Sequence, residues 1–281
     1  MISSRCICRR AEPEDLAQLS NFVDHSHFTH RHLDWRAPLD WLGRQPFWLM
    51  EEDGIILGTL AFPMDPDGIA WVRLFAAGTQ YLPSTIWETL FSKAKKDLPP
   101  HAFIAALSLN DWFGALLERE SFVPCQRIVV LSYQGKPNPI DPLPNGFTLR
   151  IMKPEDLPAV TELDLLAFQP LWRYSLETIT LAYHQEAYAT VIERGGEIIG
   201  YQLSTASVAS AHLARLAVNP NCQRQGLGSY LVADLLEHFW KEGFELVTVN
   251  TQNDNASSLA LYQNMGFLKS GEEYPVFIHQ P

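Results

Sequence analysis

The chain has 281 residues, enough for about two domains of ~150 residues each, and 47% of it is apolar, as in a globular protein with a buried core. A formal net charge of −11 argues against nucleic acid or an anionic membrane surface as the main partner and suits a cationic acceptor such as an amine. The four cysteines (Cys6, Cys8, Cys125, Cys222) form no Cys-x-x-Cys pair, no signal-peptide-like start is read, and no run reaches the ~18 apolar residues of a membrane helix. The expected setting is reducing, cytoplasmic and membrane-free.

In chain order, Arg10-Ala11-Glu12-Pro13-Glu14-Asp15-Leu16 reads as a strand end followed by a helix start, with proline early and acids in the first turn. His25, His27, His30 and His32, beside Asp24 and Asp34, are expected in a polar loop. Their spacing is neither the i, i+4 pair of a metal helix nor another ligand pattern, so no metal is expected. Trp48-Leu49-Met50 and Gly54-Ile55-Ile56-Leu57-Gly58 read as a hairpin, and Arg73-Leu74-Phe75-Ala76 as a strand. Lys93-Ala94-Lys95-Lys96 reads as a solvated helix end. The prolines of Gln134–Gly146 deny donors to a sheet interior and favour extended chain, which makes residues 135–146 a linker between domains 1–134 and 147–281.

Past the linker the chain repeats itself. Ile151-Met152-Lys153-Pro154-Glu155-Asp156-Leu157 echoes the opening helix start at an offset of 154 − 13 = 141. Gly196–Gly200 echoes the hairpin turn at 200 − 58 = 142, with Ala189–Ile192 as its flanking strand, and Arg215–Val218 echoes Arg73–Ala76 at the same offset. Asn255 and Phe267 echo Asn110 and Phe122 at 255 − 110 = 145. Each copy reads as strand, one or two helices, hairpin, long strand, helix, strand, helix, strand.

The most informative stretch is Gln223-Arg224-Gln225-Gly226-Leu227-Gly228. It lies between the apolar strand Leu213–Val218 and an amphipathic helix with Leu227, Leu231, Leu235 and Phe239 on one stripe. A helix start offers free N–H groups and a positive dipole end, the glycines allow close approach, and Arg224 adds charge. This is an anion site.

With Asn255-Ala256-Ser257-Ser258-Leu259-Ala260-Leu261-Tyr262 and Gly266-Phe267 downstream, the turn resembles the GNAT N-acetyltransferase superfamily. Its signatures are Arg/Gln-x-x-Gly-x-Gly/Ala and Asn-x-x-Ala-x-x-x-Tyr; here the alanine falls next to Asn255. The second half is similar to ribosomal-protein alanine N-acetyltransferases, and the tandem layout to mycothiol synthases. The resemblance implies an α/β fold with a mixed sheet, in two tandem GNAT-like acyl-CoA N-acyltransferase domains. It also implies acetyl-CoA as acyl donor and a small-molecule amine or a peptide N-terminus as acceptor.

By the same resemblance Gln223, Arg224, Gln225, Gly226, Leu227 and Gly228 hold the donor's pyrophosphate. Leu216, Ala217 and Val218 bind the pantetheine arm through their backbone, beside a splayed sheet. Tyr262 is the expected general acid. Asn255 caps its helix and is a further candidate contact to the donor. Ser207–His212 lacks the carboxylate that many family members place there, which leaves His212 or a water chain as base. Alternation puts His212 on the face of Ala214 and Leu216. Phe168, Trp172 and Tyr174, after Asp164, line the acceptor pocket or cap a small core. Cys222 is either a reactive thiol or a packed small residue.

In the first copy Tyr81, Ser84 and Ile86 stand where Gln223, Gly226 and Gly228 stand in the second, and Leu117 stands for Tyr262. One donor site, in the second copy, is expected. The rival reading is a non-catalytic acetyl-CoA sensor.

Overall fold

A computed structural model describes residues 5–139 and 142–279; Ile140 and Asp141 of the expected linker lie outside the described residues. The first copy runs β1 (Cys6–Arg10), α1 (Leu16–His25), β2 (Phe28–Arg31), β3 (Phe47–Glu52), β4 (Ile55–Ala61), β5 (Ile69–Trp71), β6 (Leu74–Ala77), α2 (Pro83–Ala94), β7 (Phe103–Leu107), α3 (Asp111–Arg119) and β8 (Phe122–Gln134). The second runs β9 (Thr148–Ile151), α4 (Leu157–Ala167), α5 (Leu176–His184), β10 (Tyr188–Arg194), β11 (Glu197–Ala206), β12 (Ala211–Val218), α6 (Leu227–Lys241), β13 (Leu246–Gln252), α7 (Ala256–Asn264) and β14 (Leu268–His279). The second copy follows the order read from the sequence; the first adds β2 after α1 and has the short β5 and β6 where one long strand was expected, in a mixed α/β fold.

Packing groups the chain into two compact units, Met1–Gln126 with Tyr274–Pro281, and Arg127–Glu273. This differs from the repeat boundaries at the two last strands. Residues 128–134 of β8, which follow the first copy in sequence, pair antiparallel with β13 in the second unit. Residues 276–279 of β14 pair antiparallel with β7 in the first unit.

In the first unit the antiparallel order β1-β3-β4-β6-β2 forms one sheet, and β5 lies parallel to β7. Trp87, Phe75, Phe113 and Phe122 fill its core with almost no exposure. In the second unit β9, β10, β11 and β12 form an antiparallel series, and β12 turns parallel to β13. Leu235, Leu236 and Phe239 of α6 pack on Leu213, Val247 and Val249 of that sheet, which is the apolar stripe read from the sequence.

One ion-pair device recurs at the start of both copies. Arg9 donates to both oxygens of Asp15 at 2.7 and 2.8 Å and also to Glu51; Arg150 does the same to Asp156 at 2.6 and 2.9 Å and to Glu193. Each aspartate also accepts the N–H of the residue that starts its helical turn, Glu12 or Lys153, at 2.8 Å. The paired guanidinium holds both carboxyls below their ordinary range.

The histidine run is not a polar loop. His30 lies in β2, fully buried, stacked on Phe113 at 3.9 Å, and donates from Nε2 to the Val72 carbonyl at 3.1 Å. His32 stacks on Trp71. Sequence spacing could not show this, because the aromatic partners come from distant strands and helices. Burial pushes His30 down to about 4 and His32 well below its ordinary value. An unfolded chain takes up these protons below pH 6.5, whereas the folded one refuses the His30 proton until about pH 4. The first unit is therefore expected to lose about 3 kcal/mol at His30 alone between pH 6.5 and 4. Urea titrations across that range check this, and a His30→Phe variant whose stability falls just as steeply would contradict it.

Candidate active site

The site is built around β12 in the second unit. Between Leu203↔Arg215 and Ser204↔Leu213 the register with β11 slips by one residue, so Ala214 is a bulge. Parallel pairing with β13 covers only Ala211–Leu213, while β12 continues to Val218. Beyond the bulge the sheet splays, and the backbone edge of Leu216–Val218 has no β13 strand beside it. Local sequence cannot signal such a break, since it comes from the divergence of two strands.

The turn after β12 is held from within. The Gln223 amide donates to the Val218 carbonyl at 3.2 Å, and the Cys222 N–H donates to the Asn219 carbonyl at 2.8 Å. Arg224 and Gly226 take left-handed φ values of 60° and 81°. At Gly226 this conformation makes glycine the fitting residue, and it serves as N-cap of α6. The first bond to close on that end runs from the Tyr230 N–H to the Gly226 carbonyl at 2.9 Å, so the N–H groups of the preceding first turn point out of the helix start. A Cβ on Gly228 would meet the Leu261 side chain, across the cleft, at 3.4 Å, an ordinary contact.

These elements enclose a cleft of about 390 Å³. Leu216, Ala217, Val218, Gln223, Arg224, Gly226, Leu227, Gly228, Asn255 and Phe168 of the expected site residues line it, together with Ser257, Ser258 and Leu261. Gln225 lines a neighbouring recess instead. The helix start, the left-handed glycine and Arg224 fit a diphosphate, and the free strand edge beside them fits an amide-bearing arm.

Asn255 caps α7, accepting the Ser258 N–H at 3.1 Å. Tyr262, 5% exposed, packs with Leu213, Val249 and Phe267 rather than on the cleft wall. Burial raises its phenol well above the ordinary value, although the charge of Arg215 acts the other way. Cys222 is buried, with an Arg194 N–H 3.5 Å from its sulfur, and packs with Leu227 and Leu231. The packed-residue reading accounts for it.

His212 is not on the face of Leu216. The bulge puts Leu213 and Leu216 on one face, opposite Ser204 and Gln202, and His212 opposite Thr205. Its Nδ1 lies 2.8 Å from Thr248 Oγ1, whose hydroxyl is 3.4 Å from the Ala211 carbonyl. With that hydroxyl donating to the carbonyl, Nδ1–H donates to Thr248 and Nε2 keeps its lone pair. Burial lowers the imidazole's pKa, which favours this neutral form.

The aromatic segment surrounds a group that the sequence reading had not singled out as functional. Arg215, 8% exposed, donates from Nε and Nη2 to Asp164 at 2.8 and 2.9 Å, and from Nη2 to the Trp172 carbonyl at 2.6 Å. Its guanidinium lies 3.5 Å from the Phe168 ring centroid and 3.9 Å from that of Tyr174. Asp164 also accepts the Tyr201 hydroxyl at 2.5 Å and the Tyr174 N–H at 2.9 Å. Phe168 reaches the cleft, while Trp172 and Tyr174 bind Arg215. The repeat held a clue, because Arg73 at the matching position pairs with Asp34 at 2.8 Å.

The matching turn of the first unit is built differently. Pro83 starts α2, Ile86 is fully buried, and a Cβ on Gly58 would collide with the Ile86 side chain. Among the described residues no group of three or more His, Cys, Asp or Glu is placed to hold a metal ion, and no helix is long and apolar enough to cross a membrane.

Residues 157–267 match the family model for Acetyltransferase (GNAT) family. The [Ribosomal protein bS18]-alanine N-acetyltransferase of Escherichia coli (strain K12) is 29% identical over 122 residues, covering 43% of this chain and 80% of that protein. N-acetyltransferase family 8 member 3 of Mus musculus is 36% identical over 66 residues, 24% of this chain and 29% of its own length. Among solved structures, a GCN5-related N-acetyltransferase from Sphaerobacter thermophilus superposes over 99% of this chain and 96% of its own, with a TM-score of 0.63 at 16% identity. A tandem GNAT protein from the clavulanic acid biosynthesis pathway does so over 97% of both chains, with a TM-score of 0.65 at 16% identity. At such identities the structural likeness is one of fold.

Proposed function

We propose that the chain, whose residues 157–267 match the GNAT acetyltransferase family model, moves an acetyl group from acetyl-CoA to a primary amine by direct attack, with its one donor site in the second unit. The observation that carries this reading is the cleft itself. A left-handed glycine, an open helix start and an unpaired strand edge converge there, while the matching turn of the first unit has Pro83 and Ile86 where the second has Gln225 and Gly228.

The donor supplies the activated acyl group. The α6 start and Arg224 hold its diphosphate, and the helix dipole contributes about 0.3–1 kcal/mol to that contact. The backbone of Leu216–Val218 orients the pantetheine arm. Tyr262 keeps its proton at neutral pH and, in this reading, gives it to the departing sulfur. His212, held neutral by burial with Nδ1 beside Thr248, is the base in this reading and takes the proton of the amine.

The cleft's lining contains no carboxylate to hold an ammonium ion. An α-amine, with an ordinary pKa near 7.8, gives up its proton at about 3–4 kcal/mol less cost than a lysine side chain near 10.4. This favours a peptide N-terminus or a small α-amine metabolite, and the bS18-alanine enzyme among the relatives names a protein acceptor of that kind.

The test is acceptor-dependent thiol release from acetyl-CoA over a panel of peptides, amino acids and polyamines. Wild-type protein is expected to release thiol with α-amines, Gly226→Val to lose donor binding, and His212→Gln to bind donor normally but turn over more slowly. Binding without release across the panel would reject the enzyme and leave a sensor.

A further inference from the structure

The two copies treat the edge of their central strand differently. In the first unit β5 runs parallel to β7 over Ile69–Trp71, matching the Ala211–Leu213 stretch that β12 shares with β13. Beyond that stretch β6 leaves β7 as β12 leaves β13, but the freed edge is taken. There β2 pairs antiparallel with β6, Phe28 opposite Ala77 and His30 opposite Phe75, while β4 holds the other edge. The Gly78 N–H bonds to the Leu57 carbonyl of β4, so alternation turns the N–H groups of Ala77 and Phe75 toward β2. In the second unit the Asn219 N–H bonds to the Ile199 carbonyl of β11 in the same way. The N–H groups of Val218 and Leu216 therefore face the edge without a β13 partner.

The segment that fills the first slot has a counterpart in the second copy. At the offset of 141, Phe28–Arg31 corresponds to Gln169–Trp172, which pairs with no strand. The copies differ in the carboxylate that meets the arginine of the central strand. In the first, Asp34 lies after β2 and pairs with Arg73, and the position matching Asp164 is the apolar Val23. In the second, Asp164 lies before the segment, and the pair grips the segment itself. Arg215 donates to the Trp172 carbonyl, Asp164 accepts the Tyr174 N–H, and the rings of Phe168 and Tyr174 lie on the guanidinium. Arg173 Nε adds a bond to the Phe168 carbonyl at 3.0 Å. Pro170, lacking an N–H, further disfavours a strand here, whereas Phe28-Thr29-His30-Arg31 contains no proline. We propose that the Arg215–Asp164 pair is a clasp that holds residues 168–174 off the edge of β12 and so keeps the donor's slot open. This rests on the reading of acetyl-CoA as donor. The pair is a positioning device, since neither residue lines the cleft.

Amide hydrogen exchange and calorimetry with CoA, a non-reacting probe, test this. In the wild type the Leu216 and Val218 N–H groups are expected to exchange fast without CoA and slowly with it. A triple variant, Asp164→Leu with Arg215→Met and Tyr201→Phe, removes the clasp without stranding a charge or a hydroxyl, and apolar replacement of a buried pair is often neutral for folding. It is expected to bind CoA about tenfold more weakly or worse, because the released segment competes for the edge. It is also expected to exchange more slowly at Leu216 and Val218 without CoA, whereas loosened packing alone would speed that exchange. Asp164→Asn, which keeps an acceptor, is expected to show both changes in smaller degree. A folded variant of either kind that binds CoA as the wild type does, or that binds it weakly and exchanges faster, overturns the clasp and leaves the donor reading intact. So does slow exchange at Leu216 and Val218 in the wild type without CoA, since the slot would then be closed with the clasp in place. Failure of the wild type to bind CoA overturns the donor reading and this proposal with it.

Discussion

Replacing Asp164 with Ala is expected to cost about 3–5 kcal/mol of folding free energy, a large share of the ~5–15 kcal/mol that holds a domain together. Asp164 is fully buried and is the carboxylate partner of an arginine that is itself 8% exposed. Its removal strands the Arg215 charge and leaves the buried Tyr201 hydroxyl without its acceptor. Burial, then the Asp164 charge, push the Tyr201 phenol well up, so it stays a donor and cannot substitute as an anion. The rings of Phe168 and Tyr174 remain against the guanidinium, but desolvated cation–π contacts contribute only about 2 kcal/mol each. Chemical denaturation measures the loss, and a change below about 1 kcal/mol would mean that water reaches Arg215. Asp164→Asn, which keeps an acceptor but no charge, is expected to fall between the two.

Tyr262→Phe is expected to lower the turnover number about a hundredfold or more, at the low end of general-acid contributions, with donor affinity unchanged. The ring packs with Leu213, Val249 and Phe267 in both proteins, so the fold is retained and the substitution removes only the hydroxyl. Burial keeps that hydroxyl protonated, which makes it a proton source without prior ionisation. Steady-state turnover across pH, with CoA binding measured alongside, separates chemistry from affinity. An unchanged turnover number at every pH would refute the acid role and leave Tyr262 as core.

Much of the site was readable from local pattern. Gly226 announced the helix start because a left-handed cap acts within one turn of chain. Asn255 announced a cap because a cap reaches three residues. His212 was placed correctly in the chain and wrongly on its strand, since alternation fails at Ala214 and a bulge is set by the neighbouring strand. The aromatic segment was noticed, but its centre was not: Asp164 and Arg215 are 51 positions apart, and Asp164 and Tyr201 are 37 apart. In the first unit His30 and His32 looked solvated because their stacking partners, Phe113 and Trp71, are remote in sequence.

By itself the sequence determined that the fold is written twice, that each copy opens with the same helix start, and that a single copy keeps the anion turn. Those properties rest on periodicity and on contacts within a few residues. Tertiary structure alone decided that β8 pairs in the second unit and β14 in the first, that β12 bulges and splays, and that a buried Arg215–Asp164 pair lies behind the cleft. Each of these depends on which distant edge, ring or charge arrives alongside, and the free energy that selects among them comes from burial and pairing across the folded unit rather than along the chain.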